Sequence, residues 1–385
     1  MAQHGTTEHS HGYAPIQTRS ERPRSASVSD FPEVSKLQEI WRYIPQEKLR
    51  GLDAEVMGEI SKDEIELKLA DGVTSRFVQS SDPIVGTAGL PEDRVSAASW
   101  TNAAETLVVE IPESAELEQP SFIKIRPTTK DAKAVHLLVS VGNFASATVV
   151  LDHVGLGVLG ENVEIILGDG ATLNFISIQD WEQGSSHVSS QFCRLGRDSN
   201  LKHVVVTLGG DLVRVTPASY LSSPGATTNM FGVYLADTGN YFEHRPFVDH
   251  IAANCVSDVA YKGALMGAGA HTVWVGDVLI RESAVGTDSY ELNRNLLLTS
   301  GARADSVPNL EIETGKIEGA GHASASGRFD DEQLFYLMAR GLSESDARRL
   351  VVRGFLSEII QKIGVDEIQQ RLISAIELEL EKAGA

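Results

Sequence analysis

Between about residue 97 and residue 323 the chain is a succession of short runs rich in β-branched residues, and no helical segment of ten residues separates them. Leu107–Ile111, Phe122–Ile125, Val135–Val141, Ala147–Leu151, Val163–Leu167 and Thr172–Ile178 begin the series, and Leu201–Leu208, Leu212–Val215, Thr272–Ile280, Asn295–Thr299 and Leu310–Ile312 continue it. Gly, Asp, Asn, Pro or Ser bounds each run, as turn chemistry requires. A doubly wound sheet needs crossover helices between parallel strands, so the pattern argues against that fold. A β-sandwich and a β-solenoid remain. Small-residue turns recur at Gly170-Ala171-Thr172, Ser199-Asn200-Leu201 and Gly225-Ala226-Thr227, spaced by about 28 residues, and again at Gly301-Ala302-Arg303. That interval is close to one coil of a three-sided β-helix. The period fades over Thr238–His271, so spacing alone leaves both architectures open.

Helical patterns flank this β region. Residues 1–29 are polar and predict a disordered tail, in which His4, His9 and His11 are solvated. Residues 30–96 read as a helical or mixed segment. Val34, Leu37, Ile40 and Trp41 mark one face of a helix opened by Pro32 and interrupted by Pro45, with a short second helix over Gln46–Gly51. Residues 324–385 return to helix. Leu334, Leu337 and Met338 share a face before Gly341. Ser343 and Asp346 resemble a capping box, and Ala347, Leu350, Val351, Phe355, Ile359 and Ile363 form a stripe closed by Gly364. Ile368, Leu372, Ile376 and Leu380 follow at i+4 spacing. Three helices do not need that much apolar surface for themselves, so the pattern calls for a partner.

Charge narrows the function classes. Thirty-three Lys and Arg against fifty-three Asp and Glu give a net charge of −20, opposite to a nucleic-acid or anionic-lipid footprint. Two cysteines cannot build a disulfide framework. The first thirty residues lack an apolar signal region, and no stretch approaches a spanning helix, so a soluble cytoplasmic protein is predicted.

Few local motifs carry chemistry. Gly155-Leu156-Gly157-Val158-Leu159-Gly160 matches G-x-G-x-x-G, but a strand follows where a dinucleotide site needs a helix, so the glycines predict turns. Gly321–Gly327 lacks the Lys and Ser/Thr of a phosphate loop, so the chain has no recognisable nucleotide site of its own, and no flavin motif is found. His244, His250, Cys255 and His271 are the densest soft-ligand set, with spacings that fit no zinc template. Cys193 and Cys255 have no local feature that would lower a thiol pKa. His322, in Gly319-Ala320-Gly321-His322-Ala323-Ser324, sits among small residues where the strands give way to helices, a setting that leaves its imidazole accessible as an iron or zinc ligand.

An ordered series of segments goes further. Asn293-Arg294-Asn295-Leu296-Leu297-Leu298, Pro308-Asn309-Leu310-Glu311-Ile312, Gly321-His322-Ala323, Asp331-Glu332-Gln333-Leu334-Phe335-Tyr336-Leu337 and Ala339-Arg340-Gly341 resemble the SufB/SufD family of iron–sulfur cluster assembly scaffolds. Trp41-Arg42-Tyr43 resembles the Trp-Arg signature of the SufD branch. The resemblance implies a mainly β protein with helical ends: a right-handed parallel β-helix core over 97–323, followed by a helical domain over 324–385 that docks an ATPase. It implies a non-enzymatic scaffold that pairs with SufB through the β-helix, binds the ABC-type ATPase SufC, and helps to hold a transient iron–sulfur cluster at the SufB interface. SufB-type chains carry a cluster-building cysteine where this one has Ile312, and flank the matching histidine with glutamates where this one has Gly321 and Ala323. Both departures imply the SufD branch. His322 then becomes the residue that ligates the nascent cluster, and Phe335, Tyr336 and Arg340 become the SufC-docking residues. Many SufD chains place a cysteine two residues before that histidine; this one has Ala320, so thiolate ligation must come from elsewhere. The rival readings are a carbohydrate-active β-helix enzyme and a purely architectural subunit in which His322 is idle.

Overall fold

The computed structural model describes Arg19, residues 22–329 and residues 331–382. Three short strands come first: β1 (Gly58–Glu59), β2 (Ile65–Lys68) and β3 (Thr74–Gln79). The helix α1 (Arg94–Asn102) follows, and then a parallel β-solenoid of about eight coils. Its strands run β4 (Glu105–Ile111) and β5 (Ser121–Ile125), β6 (Ala132–Val141) and β7 (Ser146–Gly155), β8 (Val158–Leu167) and β9 (Thr172–Trp181). Next come β10 (Ser186–Leu195) and β11 (Asn200–Thr207), β12 (Leu212–Leu221) and β13 (Thr227–Ala236), then the broken strand β14 (Tyr241–His244) and β15 (Phe247–His250) with β16 (Val256–Leu265). The last coils are β17 (His271–Ile280) with β18 (Asp288–Leu297), and β19 (Arg303–Ile312) with β20 (Gly319–Arg328). Three helices close the chain: α2 (Asp331–Ala339), α3 (Glu344–Lys362) and α4 (Asp366–Lys382).

Each coil gives one strand to each of two sheets, so the solenoid has two β faces where the spacing suggested three. The 28-residue repeat is two ten-residue strands and two short turns. At the turn into the second sheet, Phe144, Gly170, Asp198, Gly225, Asn254 and Gly286 all take positive φ, each two residues before its strand. Glycine meets that demand without steric cost, and Asp and Asn with little. The next position in each turn holds Ala145, Ala171, Ser199, Ala226, Cys255 or Thr287, all buried. The turn signature in the sequence is therefore this stack of left-handed residues followed by small inward-facing ones. The fading of the period has a local cause. Arg245-Pro246 splits one strand into β14 and β15, because proline has no N–H for the ladder. Later coils also lengthen, which blurs the repeat without ending it.

The sheets bury both faces, which is why their strands read as nearly continuous apolar runs. Between them lies the main core, with Val149, Leu173, Leu201, Val215 and Trp274 among its members. Outside the first sheet, Trp41, Ile44, Leu49, Leu52 and Val95 pack against Val158, Val188 and Leu212. Outside the second, α3 and α4 lay Val352, Leu356, Ile359, Leu372 and Ile376 on Val150, Ile176, Val204 and Phe231. Arg371 pins α4 to the sheet through Asp152 (2.8 Å) and Asp180 (2.7 Å).

Three details differ from the sequence reading. The helix expected from Pro32 is absent among the described residues; single 3₁₀ turns form at Glu39–Trp41 and Gln46–Lys48, and Leu37 is exposed. Trp41 instead inserts singly and takes the Arg214 guanidinium over its ring at 4.0 Å, so the apolar spacing served separate anchors. Helix α1, capped by Asp93 on the Ser96 amide (2.9 Å), occupies a stretch read as the start of the strands. Most of the tail expected over 1–29 lies outside the described residues, including His4, His9 and His11. Arg19, however, is buried, 3.0 Å from Glu92 and stacked over Phe247, and Val28 is buried with Phe31. Ion pairs can dock a segment too polar to dock by hydrophobicity. No helix among the described residues is long and apolar enough to cross a membrane.

Candidate functional site

The two ends of the solenoid differ. At the first, β3 lies antiparallel on β4 and β2 antiparallel on β5. At the last, β19 pairs with β17 and β20 with β18, and among the described residues nothing pairs with their outer edges. The amides of Gly319 and Phe329 bond back to Thr287 and Leu297. By the two-residue alternation of a strand, the backbone groups of Ala320, His322, Ser324 and Ser326 point to the open edge. On β19 the amides of Arg303 and Glu313 bond inward, so the even positions face out. Pro308 is one of these, where a missing N–H costs the ladder nothing.

His322 stands on this edge with 44 % of its side chain exposed, and its Nδ1 is 3.7 Å from Glu291 Oε1. Glu291 is its register partner on β18 and is buried, with neither carboxyl oxygen hydrogen-bonded. Gly276 presses against it: a Cβ there would collide with Glu291 Oε2 and the Trp274 ring. Burial, with the charge of Asp277 second, pushes the Glu291 carboxyl up to about 8. Near neutral pH the site therefore offers an accessible imidazole above a mostly protonated carboxyl that an arriving cation would ionise. Sequence reading found His322 and missed Glu291. Its signal is the alternation along β18, where Ser289, Glu291, Asn293 and Asn295 face inward and Tyr290 and Arg294 do not.

Helix α2 begins three residues after Arg328 ends β20, so it is tied closely to the open end. Phe335 (74 % exposed) and Tyr336 (57 %) project outward with Met338, Leu342 and Leu350, and Arg340 lies over the Tyr336 ring at 5.1 Å. Leu334 is the buried member of this helix. The surplus apolar surface is thus on α2 and its neighbour, since the α3 and α4 stripes are largely spent on the second sheet. The helix expected over Asp330–Arg340 is present as Asp331–Ala339; Asp330 lies outside the described residues, Arg340 falls in the turn that follows, and Gly341 takes the positive φ of a C-cap.

The other candidate ligands do not converge. His244 bonds Thr207 (2.9 Å), His250 bonds Ser257 (2.9 Å) and His271 bonds Asp305 (2.6 Å), each with its own partner. Cys255 fills its place in the turn stack, and burial raises its thiol pKa; burial does the same, more strongly, to Cys193. The Gly155–Gly160 segment is the turn from β7 into β8. Among the described residues a different set converges inside the solenoid. His153 Nε2 lies 2.8 Å from Glu161 Oε1, and His187 Nε2 lies 3.4 Å from Glu161 Oε2. Burial disfavours charge on all three. His153, with Glu161 beside it, is nevertheless raised, Glu161 is held well below the carboxylate range, and His187, beside a charged His153, falls to about 4. Glu161 and His187 are 26 residues apart, so titratable residues recurring at the coil period were the available signal.

The comparisons with known proteins place this open-ended solenoid in a family. The family profile described as "SUF system FeS cluster assembly, SufBD core domain" matches residues 125–355. The chain belongs to the SufBD family. An iron–sulfur cluster assembly SufBD family protein of Mycobacterium tuberculosis is 46 % identical over 364 residues, covering 93 % of this chain and 92 % of the relative. One from Mycobacterium leprae is 47 % identical over 365 residues, covering 92 % and 93 %. The iron–sulfur cluster assembly protein SufD of Escherichia coli is 24 % identical over 387 residues, covering 89 % and 88 %. SufBD membership assigns the chain to iron–sulfur cluster assembly, and the SufBD core match spans most of the solenoid and its open end.

Proposed function

We propose that this chain is the SufD-type subunit of a cytoplasmic SUF assembly complex, a scaffold and not an enzyme. It pairs with SufB along the open edges of β19 and β20 and docks the ATPase SufC through Phe335, Tyr336 and Arg340. The observation that carries the reading is the last coil: among the described residues both edges are unpaired, with a half-exposed His322 over a buried Glu291 that has no hydrogen bond. An unpaired edge is a template for another strand, and a second solenoid end is the natural complement. Ile312 at the position where SufB-type chains carry cysteine supports the SufD assignment. In this reading the nascent cluster is cargo. His322 offers an imidazole nitrogen to its iron, Glu291 compensates the positive charge from below, and SufB supplies thiolate. ATP is hydrolysed by SufC.

The test is co-purification of the chain, wild type and His322→Ala, with its partners from the native host, followed by iron and acid-labile sulfide assays. Recovery of SufB and SufC with both forms, and of cluster with wild type alone, is the expected result. If the mutant complex keeps its cluster, His322 is idle and the subunit is architectural. Failure of either partner to appear, under conditions where their complex survives, would overturn the assignment.

A further inference from the structure

We propose that His153, Glu161 and His187 form a binding site for a divalent first-row transition-metal ion, zinc or ferrous iron, inside the solenoid. The three side chains are fully buried, and their ligand atoms lie within 4.8 Å of one another. Ligand atoms on a tetrahedral ion with bonds of about 2.0–2.1 Å stand roughly 3.3 Å apart; here Glu161 turns Oε1 to His153 Nε2 at 2.8 Å and its other oxygen, Oε2, to His187 Nε2 at 3.4 Å, so the carboxylate stands between the two imidazoles. Small adjustments suffice to seat an ion.

The surroundings favour coordination over a plain ion pair. His153 Nδ1 donates to the Ile178 carbonyl at 2.8 Å, which fixes the ring and leaves Nε2 as the ligand atom, the arrangement usual behind metal-bound histidine. Ser189 Oγ donates to Glu161 Oε2 at 2.6 Å and steadies the carboxylate. His187 is the decisive residue. Neither of its ring nitrogens has a hydrogen-bond partner, although the side chain is wholly enclosed. Buried polar atoms are almost always satisfied, so an unsatisfied nitrogen aimed at a carboxylate marks a missing partner. A cation shared with Glu161 would supply it, and the proton that His153 Nε2 otherwise gives to Glu161 would leave. Two imidazoles and one carboxylate suit zinc or ferrous iron, whereas calcium and magnesium prefer all-oxygen sites. The Trp181 ring, 5.6 Å from His153 and 5.3 Å from His187, helps to close the site.

His153 comes from β7 in one sheet, and Glu161 and His187 come from β8 and β10 in the other. A metal here would cross-link the two faces over three successive coils. The site is separate from His322 and independent of any cluster.

The test is anomalous diffraction at the zinc and iron edges from crystals of the full chain refolded with Zn²⁺, or with Fe²⁺ under anaerobic conditions. Refolding is specified because the site is enclosed. A peak within bonding distance of His153 Nε2, a Glu161 oxygen and His187 Nε2 is expected, and the edge at which it persists after competition names the ion. Peaks confined to other positions, or none at all, would overturn the proposal. In solution, Glu161→Gln should lose one metal equivalent per chain, and His322→Ala should keep it. An unchanged metal content in folded Glu161→Gln also overturns the site. Should that variant fail to fold, the diffraction result decides alone.

Discussion

At the scale of single residues, buried carboxylates differ in what surrounds them. Glu64 accepts hydrogen bonds from Lys133, Thr128 and Ser61, and despite burial these hold its carboxyl at about 2. Because the folded value lies below the ordinary one, its stabilisation is complete above about pH 5 and is lost as pH falls toward 2. Glu64→Gln should cost about 2–3 kcal/mol at neutral pH, and the deficit should shrink on acidification; urea unfolding of both forms at pH 7 and pH 3 checks this. Glu291 is the opposite case, with a folded value raised by burial and no hydrogen bond to either oxygen. Glu291→Gln should therefore leave the free chain as stable or more stable at neutral pH, by up to about 2 kcal/mol, while lowering the iron retained by the complex. Melting temperature and iron content measured on the same preparations separate the two effects. His322 was legible because its neighbours are small and its segment resembles a family motif. Glu291 was not, since a lone glutamate in a strand shows its significance only once the strand's phase is known.

At the scale of elements, the alternation of backbone groups along β20 makes a sharper prediction than any side chain. Ala320→Pro removes an N–H that faces the open edge, and should leave the monomer's melting temperature nearly unchanged while abolishing pairing with SufB. Ala323→Pro removes one that faces β18, and should cost roughly 3 kcal/mol or more and loosen the last coil. Size-exclusion chromatography with SufB and thermal melts of both variants distinguish these outcomes; equal effects on pairing and stability would refute the edge assignment. On α2, changing Phe335 and Arg340 together to Ala should weaken SufC binding at least tenfold with little effect on the melting temperature, because both side chains are exposed. Retained SufC binding sinks the docking assignment. The element types at the C-terminus were legible because their apolar spacing, caps and glycines agree. The N-terminal segment was misread because Trp41, Ile44, Leu49 and Leu52 are anchors for a chain draped over a sheet, and a draped chain can imitate helical spacing for two turns.

At the scale of the molecule, the interior is unusually polar for a core. His203, His244 and His250 are buried and neutral, with burial holding them near 3, 3 and 4. Their folded values lie below the ordinary 6.5, so the unfolded chain takes up protons first, and stability falls as pH drops below about 6.5. His187, held near 4, joins them; His153, raised and so protonated in both states, adds no slope below pH 6.5, and the Glu291 carboxyl, raised to about 8, works the other way, one residue against four. The net loss should approach about 4 kcal/mol per pH unit below pH 6, read as a falling urea midpoint between pH 7 and pH 5 that flattens in His203→Gln and His244→Gln. The solenoid itself was half-legible. The repeat was visible, but two long faces and three shorter ones give the same interval, and a single proline in one coil hid the continuity.

The unlike ends of that solenoid also set a number. One end finishes in a four-residue strand bearing Glu66 and Lys68 and in an antiparallel neighbour, and the other, among the described residues, stops with two bare parallel edges. Short charged strands of that kind blunt a sheet against further growth. Stacking of unblunted solenoids head to tail has no natural limit and runs on into fibres. A body with a single adhesive pole has no such freedom: once its pole meets another, both are consumed, and the count stops at two.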